Sequence, residues 1–320
     1  MTQKPTRQNI LPASSFVPGF RSSVNFYKMK QIILFTFAAV LFSCSAQKKE
    51  LDNTFYAFNN AFRTLPNAPE GLDAQAEFLV QLGYDGFSGH ISDPYFPRRE
   101  SLDKAGLKMP EIYWGIEMDS AGVVTYKDGL KQIIEDSKDR NLIVALFSNA
   151  KAFNDKKDVG DPLLAKGIQE LADFAADYNV KVAIYPHVNN YCETIAHCVQ
   201  MAKLVDRDNF GVVFNTCHLL KVEGEDNWED KLVNAMPYIY MISLNGADSG
   251  DTQNMDWDRL IQPLGEGSFD TYKLVKLAKD NGYDGPFGLQ CYNIKQDAEV
   301  ALTKSINTWK DYQLSYTKGK

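Results

Sequence analysis

A (β/α)8 TIM barrel is the α/β fold that this chain of 320 residues predicts, on three observations. From about residue 54, short runs rich in β-branched and aromatic residues alternate with amphipathic stretches, the pattern of a parallel sheet with helical crossovers. Eight such runs follow one another at fairly even intervals, the number that closes a barrel. No Gly-rich dinucleotide fingerprint or phosphate loop follows any of them, which removes the usual reason for the competing architecture, an open doubly wound sheet.

In chain order the predicted strands are 54–60, an aromatic run; 86–90, which follows the helix-stopping Leu82-Gly83-Tyr84-Asp85; 109–117; 142–148, with Leu142, Ile143, Val144 and Leu146; 181–187; 211–215; 238–245; and 288–292. The last follows a second turn signal, Asn281-Gly282-Tyr283-Asp284-Gly285-Pro286. Helices are expected between them, among others over 72–82, 161–179, 194–205, 228–234 and 270–281. No repeat or low-complexity linker divides the chain, so 54–320 reads as a single barrel domain.

The residues before the barrel read as an address. Met29-Lys30 precedes a short apolar run from Ile32 to Phe42, the core of a signal peptide and too short to span a bilayer. It ends in Leu41-Phe42-Ser43-Cys44, which resembles the lipobox of bacterial lipoproteins, where the cysteine carries the lipid. The expectation is an upstream segment and signal peptide over 1–43, lipidation at Cys44, a polar tether over 44–53, and export to the bacterial cell envelope with the membrane reached through the anchor only. The other cysteines, Cys192, Cys198, Cys217 and Cys291, show no metal spacing. Cys192 and Cys198, six apart on one expected helix, should not face each other, and all four read as small buried hydrophobes.

Lys+Arg 34 against Asp+Glu 41 leaves a net charge of -7, so no basic surface is available for a phosphate backbone and nucleic acid is excluded as a partner.

In a barrel the C-terminal ends of the strands converge on one pocket. Here those ends are polar: Tyr185, His187 and Asn189 on the fifth strand; Asn215 and His218 on the sixth; Asn245 and Asp248 on the seventh; Gln290 and Tyr292 on the eighth; with Tyr113, Trp114 and Glu117 on the third. Order and spacing resemble the sugar phosphate isomerase/epimerase superfamily of xylose isomerase-like barrels. The resemblance covers about residues 54–312. It is carried by Gly83-Tyr84-Asp85-Gly86, Asn215-x-x-His218, Pro263-Leu264-Gly265-Glu266-Gly267-Ser268-Phe269-Asp270 and Gly282-Tyr283-Asp284-Gly285-Pro286.

The resemblance implies a barrel that holds one divalent metal through acidic strand ends and moves a proton next to a sugar carbonyl. This sequence departs at the matching positions, which are Tyr185, Asn215, Asn245 and Gln290, all neutral. Four neutral donors leave a hard cation uncompensated, so the usual metal site is expected to be degenerate. If a metal is held, zinc or manganese on His187 and His218 with Glu117 or Asp248 is the arrangement open to the chain. Otherwise the two histidines, with Glu117, serve as metal-free acid and base. The amides of Asn215, Asn245 and Gln290 match sugar hydroxyls, and Tyr185, Trp114 and Tyr292 offer hydroxyls and faces for a sugar ring. The expected activity is isomerisation, epimerisation or elimination on a small-molecule sugar or keto-sugar. The alternative is a surface-anchored barrel that binds carbohydrate without catalysis.

Overall fold

The computed structural model describes residues 50–319, so the signal-peptide core, Cys44 and most of the tether lie outside the described residues. One sheet holds ten strands: β1 (Phe55–Ala57), β2 (Gly86–Phe87), β3 (Gly89–His90), β4 (Glu111–Met118), β5 (Val124–Tyr126), β6 (Ile143–Asn149), β7 (Lys181–Ile184), β8 (Phe210–Asn215), β9 (Ile239–Leu244) and β10 (Phe287–Leu289). Nine follow the order β2-β1-β10-β9-β8-β7-β6-β4-β3, every neighbour parallel. The ends of that path, β2 and β3, are two halves of one extended segment broken only at Ser88. The chain itself therefore all but closes the ring, and the predicted barrel is the fold. β5 lies off the ring as an antiparallel partner of β4.

Each predicted strand is present, generally shorter than its apolar run. The first ends at Ala57 because Asn60–Arg63 turns into a short helix, α1, and the fifth ends at Ile184, before Tyr185 and His187. The ring helices are α2 (Leu72–Leu82), α3 (Tyr95–Lys104), α4 (Leu130–Asp136), α5 (Lys157–Ala176), α6 (Ile195–Val205), α7 (Thr216–Glu223), α8 (Trp228–Ala235), α9 (Trp257–Leu260), α10 (Thr271–Asp280) and α11 (Ala298–Thr317).

The motifs of the sequence have local structural causes. Gly83 ends α2 at φ +94°, its N–H reaching Leu79 O and Val80 O. Asp85 then accepts from the Phe55 N–H at 2.8 Å, tying the first two strands together. At Gly86 a Cβ would lie 2.5 Å from the Lys108 carbonyl oxygen. In the Gly-Glu-Gly segment, Gly265 and Gly267 adopt φ +87° and +82°, and a Cβ on Gly267 would meet the Ala247 oxygen at 2.0 Å.

Two apolar layers result. The larger packs helices onto the outer face of the sheet, as where Trp309 of α11 stacks on Phe55 and lies tilted against Phe287. The inner layer is small and aromatic: Tyr56, Phe58, Ile143, Ala145, Ala183, Tyr185, Val213 and Met241.

One expectation about the α6 region is corrected: Cys192 precedes the helix, outside it, although all four described cysteines are free and buried as expected. His197, in the first turn of α6, is tied to buried Asp161 at 3.0 Å, alongside the Tyr191 hydroxyl at 2.6 Å.

Candidate active site

Barrel interiors are usually filled by bulky branched side chains. Here Ala145 and Ala183 hold inward positions in register with Tyr113, and Tyr113 lines a cavity of about 420 Å³. The cavity opens where the strands end and reaches down to Glu111, the first residue of β4. Its walls carry Asn59, Asn60 and Arg63 from the first strand end and α1, Ser88 and His90, Tyr113, Tyr185 and His187, His218, Trp257, Gln290 and Tyr292.

His187 and His218 stand side by side, ring centroids 4.0 Å apart and planes at 43°. Each has a local cause. His187 follows β7 in a turn closed by its N–H to the Cys192 carbonyl at 3.1 Å. His218 lies in the first turn of α7, where Asn215 is the N-cap and its side-chain oxygen accepts the His218 N–H at 3.0 Å. The Asn-x-x-His pattern is thus a helix cap that also places the imidazole.

The tautomers follow from the backbone between them. Nδ1 of His187 lies 2.8 Å from the Val188 carbonyl oxygen, which can only accept, so Nδ1 carries the proton and Nε2 is a bare lone pair. Nδ1 of His218 faces the Val188 N–H at a long 3.5 Å, which favours the proton on its Nε2. One residue, Val188, therefore sets one ring as base and the other as donor. Burial holds the pKa of His187 below its usual value, and burial together with the neighbouring His187 holds that of 5%-exposed His218 well below. Both rings are neutral at pH 7.

Across the cavity, Tyr185 is buried, its oxygen accepting from the Asn215 amide, and its ring lies 6.0 Å from His218 and 4.9 Å from Tyr113. The Gln290 oxygen accepts from the Asn60 amide and, at 3.1 Å, from the Tyr292 N–H. At the floor Glu111 is fully buried. Its Oε2 lies 3.5 Å from the Tyr56 hydroxyl, Oε1 has no partner, and desolvation lifts its pKa to about 8.

The structure brings together His187, His218, Tyr185, Gln290 and Tyr292, with Asn215 directly behind Tyr185 and His218. It does not bring in the other three. Trp114 points to the outer layer because side chains alternate along β4, and Tyr113 and Glu111 take the inward positions. Glu117 is exposed beside β5 and lines no part of the cavity. Asn245 is buried away from the cavity, its amide donating to the Gly246 and Leu260 carbonyls. Arg63 and Glu111 were not singled out from the sequence. Arg63 follows a strand that ends earlier than its apolar run, and Glu111 opens a strand whose floor end sequence reasoning had no cause to weigh.

The divalent cation that the resemblance implies does not fit these residues. Of the four matching side chains, the oxygens of Asn215 and Gln290 are already accepting hydrogen bonds, Asn245 is outside the cavity, and Tyr185 keeps its proton because burial raises its pKa well above normal. Asp248, the other carboxylate considered for zinc, pairs with Arg259 at 2.8 Å. Among the described residues, no three His, Cys, Asp or Glu side chains are grouped to hold a metal ion.

Comparison with known proteins agrees with the barrel fold. An inosose dehydratase from Clostridium botulinum (strain Alaska E43 / Type E3) is 23% identical over 148 residues, 43% of this chain and 48% of that protein, so this chain matches about half the length of that relative. The crystal structure of the IOLI protein with a zinc atom bound is 17% identical with a TM-score of 0.63, covering 82% of this chain and 99% of that one. D-allulose 3-epimerase from Methylomonas sp. is 13% identical with a TM-score of 0.62, covering 82% and 98%. At such identities the structural likeness is one of fold. Residues 76–312 match the family of xylose isomerase-like TIM barrels, most of the length of the chain, and the protein belongs to that family.

Proposed function

We propose that this protein moves a proton next to the carbonyl of a sugar or keto-sugar, in an isomerisation, epimerisation or β-elimination, using its own imidazoles in place of a metal ion. The observation that carries the reading is the His187–His218 pair, 4.0 Å apart on the wall of a cavity and bearing complementary tautomers. Nε2 of His187 takes the proton from the carbon beside the carbonyl, while Nε2–H of His218 donates to the carbonyl oxygen as negative charge develops there. Asn60, Gln290 and Arg63 offer donors to ring hydroxyls, and Tyr113 and Tyr292 offer faces. The inosose dehydratase and the allulose epimerase carry names of the same reaction class, which supports the reading.

The test is exchange of solvent deuterium into a keto-sugar, read by NMR over a panel of ketoses and inososes. Wild type is expected to exchange the proton beside the carbonyl, and His187→Ala and His218→Ala each to slow it by about a hundredfold or more. Wild-type rates in both variants remove the assignment. Binding without exchange leaves the second reading, a carbohydrate-binding barrel. Exhaustive treatment with a chelator is expected to leave the exchange rate unchanged, and restoration of a lost rate by added zinc or manganese would contradict the metal-free mechanism. We further propose that Cys44 tethers the barrel to the bacterial envelope. In a bacterial host the protein should fractionate with membranes and lose them on Cys44→Ser.

A further inference from the structure

The proton-transfer reading uses the mouth of the cavity and leaves its floor unexplained. There Glu111 is wholly buried, yet it lines the cavity and its Oε1 meets no hydrogen-bond partner in the protein. A buried polar atom without a partner costs on the order of 1–3 kcal/mol. A buried acidic side chain left this way in the wall of a cavity is a group that a ligand completes. The four basic side chains of the lining, Arg63, His90, His187 and His218, all sit at or beyond strand ends, whereas Glu111 begins its strand. Around it stand the hydroxyl of Tyr56 and the ring of Tyr113, with no cation to offset a second negative charge.

We propose that Glu111 is the specificity-determining residue of a floor subsite, where its carboxyl hydrogen-bonds a hydroxyl or carbonyl oxygen of the ligand, so that the substrate enters with an uncharged, unphosphorylated end foremost. This rests on the sugar reading of the same cavity and narrows it to sugars without a phosphate or carboxylate on the leading end. Desolvation keeps the carboxyl protonated at pH 7, which gives it one donor and one acceptor, the inventory that matches a sugar hydroxyl and excludes neither partner role. A phosphate there would face an acid without a counter-cation and would force burial of a charge that nothing repays.

The experiment is binding by NMR saturation transfer and calorimetry on the full chain, with ketohexoses, inososes and hexitols set against the phosphate monoesters of the same compounds. Wild type is expected to bind the uncharged members and to bind their phosphates at least tenfold more weakly. Glu111→Gln, which keeps shape, neutrality and both hydrogen-bonding roles, should remain within about threefold of wild type, and Glu111→Leu should lose at least tenfold. Glu111→Gln also serves as the folded control. Equal binding by all three proteins, with deuterium exchange intact, overturns the subsite and leaves the proton-transfer reading standing. Binding lost only in Glu111→Leu, in a protein that exchanges no proton, keeps the subsite and removes that reading. Tighter binding of phosphates, or no binding of either set, overturns the subsite.

Discussion

At the scale of single residues, burial moves the pKa values of His187, His218 and Glu111 away from their ordinary values, and pH is the means of seeing it. His187 and His218 have folded pKa values below the unfolded value of about 6.5, so between the two the unfolded chain binds more protons and stability falls on acidification. The same depression keeps the base competent. Exchange activity is therefore expected to stay level as pH drops through 6.5 and to decline only in more acid solution; a half-loss at 6.5 would show that the rings are solvated. Glu111 has the opposite sign. Its folded pKa, about 8, lies above its unfolded value of 4.5, so the native state holds the extra proton and stability falls as pH rises between those values. Glu111→Gln should flatten that fall, measured as the urea midpoint from pH 5 to 9. In the sequence, the histidines stood out because they fall just past strand ends. Glu111 did not, since its place in the cavity wall depends on which face of β4 the packing turns inward.

At the scale of elements, the cap of α7 joins stability to function. Asn215 accepts the His218 N–H through Oδ1 and donates to Tyr185 through its amide, so Asn215→Ala removes a cap worth about 1 kcal/mol and leaves buried partners unpaired. A loss near 2 kcal/mol in urea unfolding is expected, together with slowed exchange, because both Tyr185 and His218 lose their anchor. The Gly-Glu-Gly loop before α10 makes a purely structural case. Gly267→Ala combines φ +82° with a clash against the Ala247 oxygen and should cost more than about 2 kcal/mol while leaving the histidine pair in place in whatever fraction folds. Both motifs were visible as sequence. What they do was not, because a cap and a close backbone approach are defined by atoms far apart in the chain.

At the scale of the whole molecule, the barrel seam and the net charge set the remaining behaviour. Phe287 is fully buried where β10 meets β1, against Tyr283 and Trp309, and Phe287→Ala is expected to lower stability by about 3–5 kcal/mol, read as a lower urea midpoint, since it opens a cavity where the first and last strands of the chain pair. With a net charge of -7, no affinity for a nucleic-acid backbone is expected in a filter-binding assay at physiological salt. The alternation of β-rich and amphipathic runs determined the barrel, its strand order and the ring of polar strand ends, because hydrophobic period and chain direction are local properties that a sequence carries in full. It also showed that the strand ends at Tyr185, Asn215, Asn245 and Gln290 are neutral. Only the tertiary structure decided which strand-end residues share a cavity: it turned Trp114 outward, left Glu117 and Asn245 outside, placed His187 against His218 and set Glu111 in the cavity wall. Those outcomes depend on where each strand stops and which parity of each strand faces inward, and both are settled by packing against neighbours rather than by the residues of the strand alone.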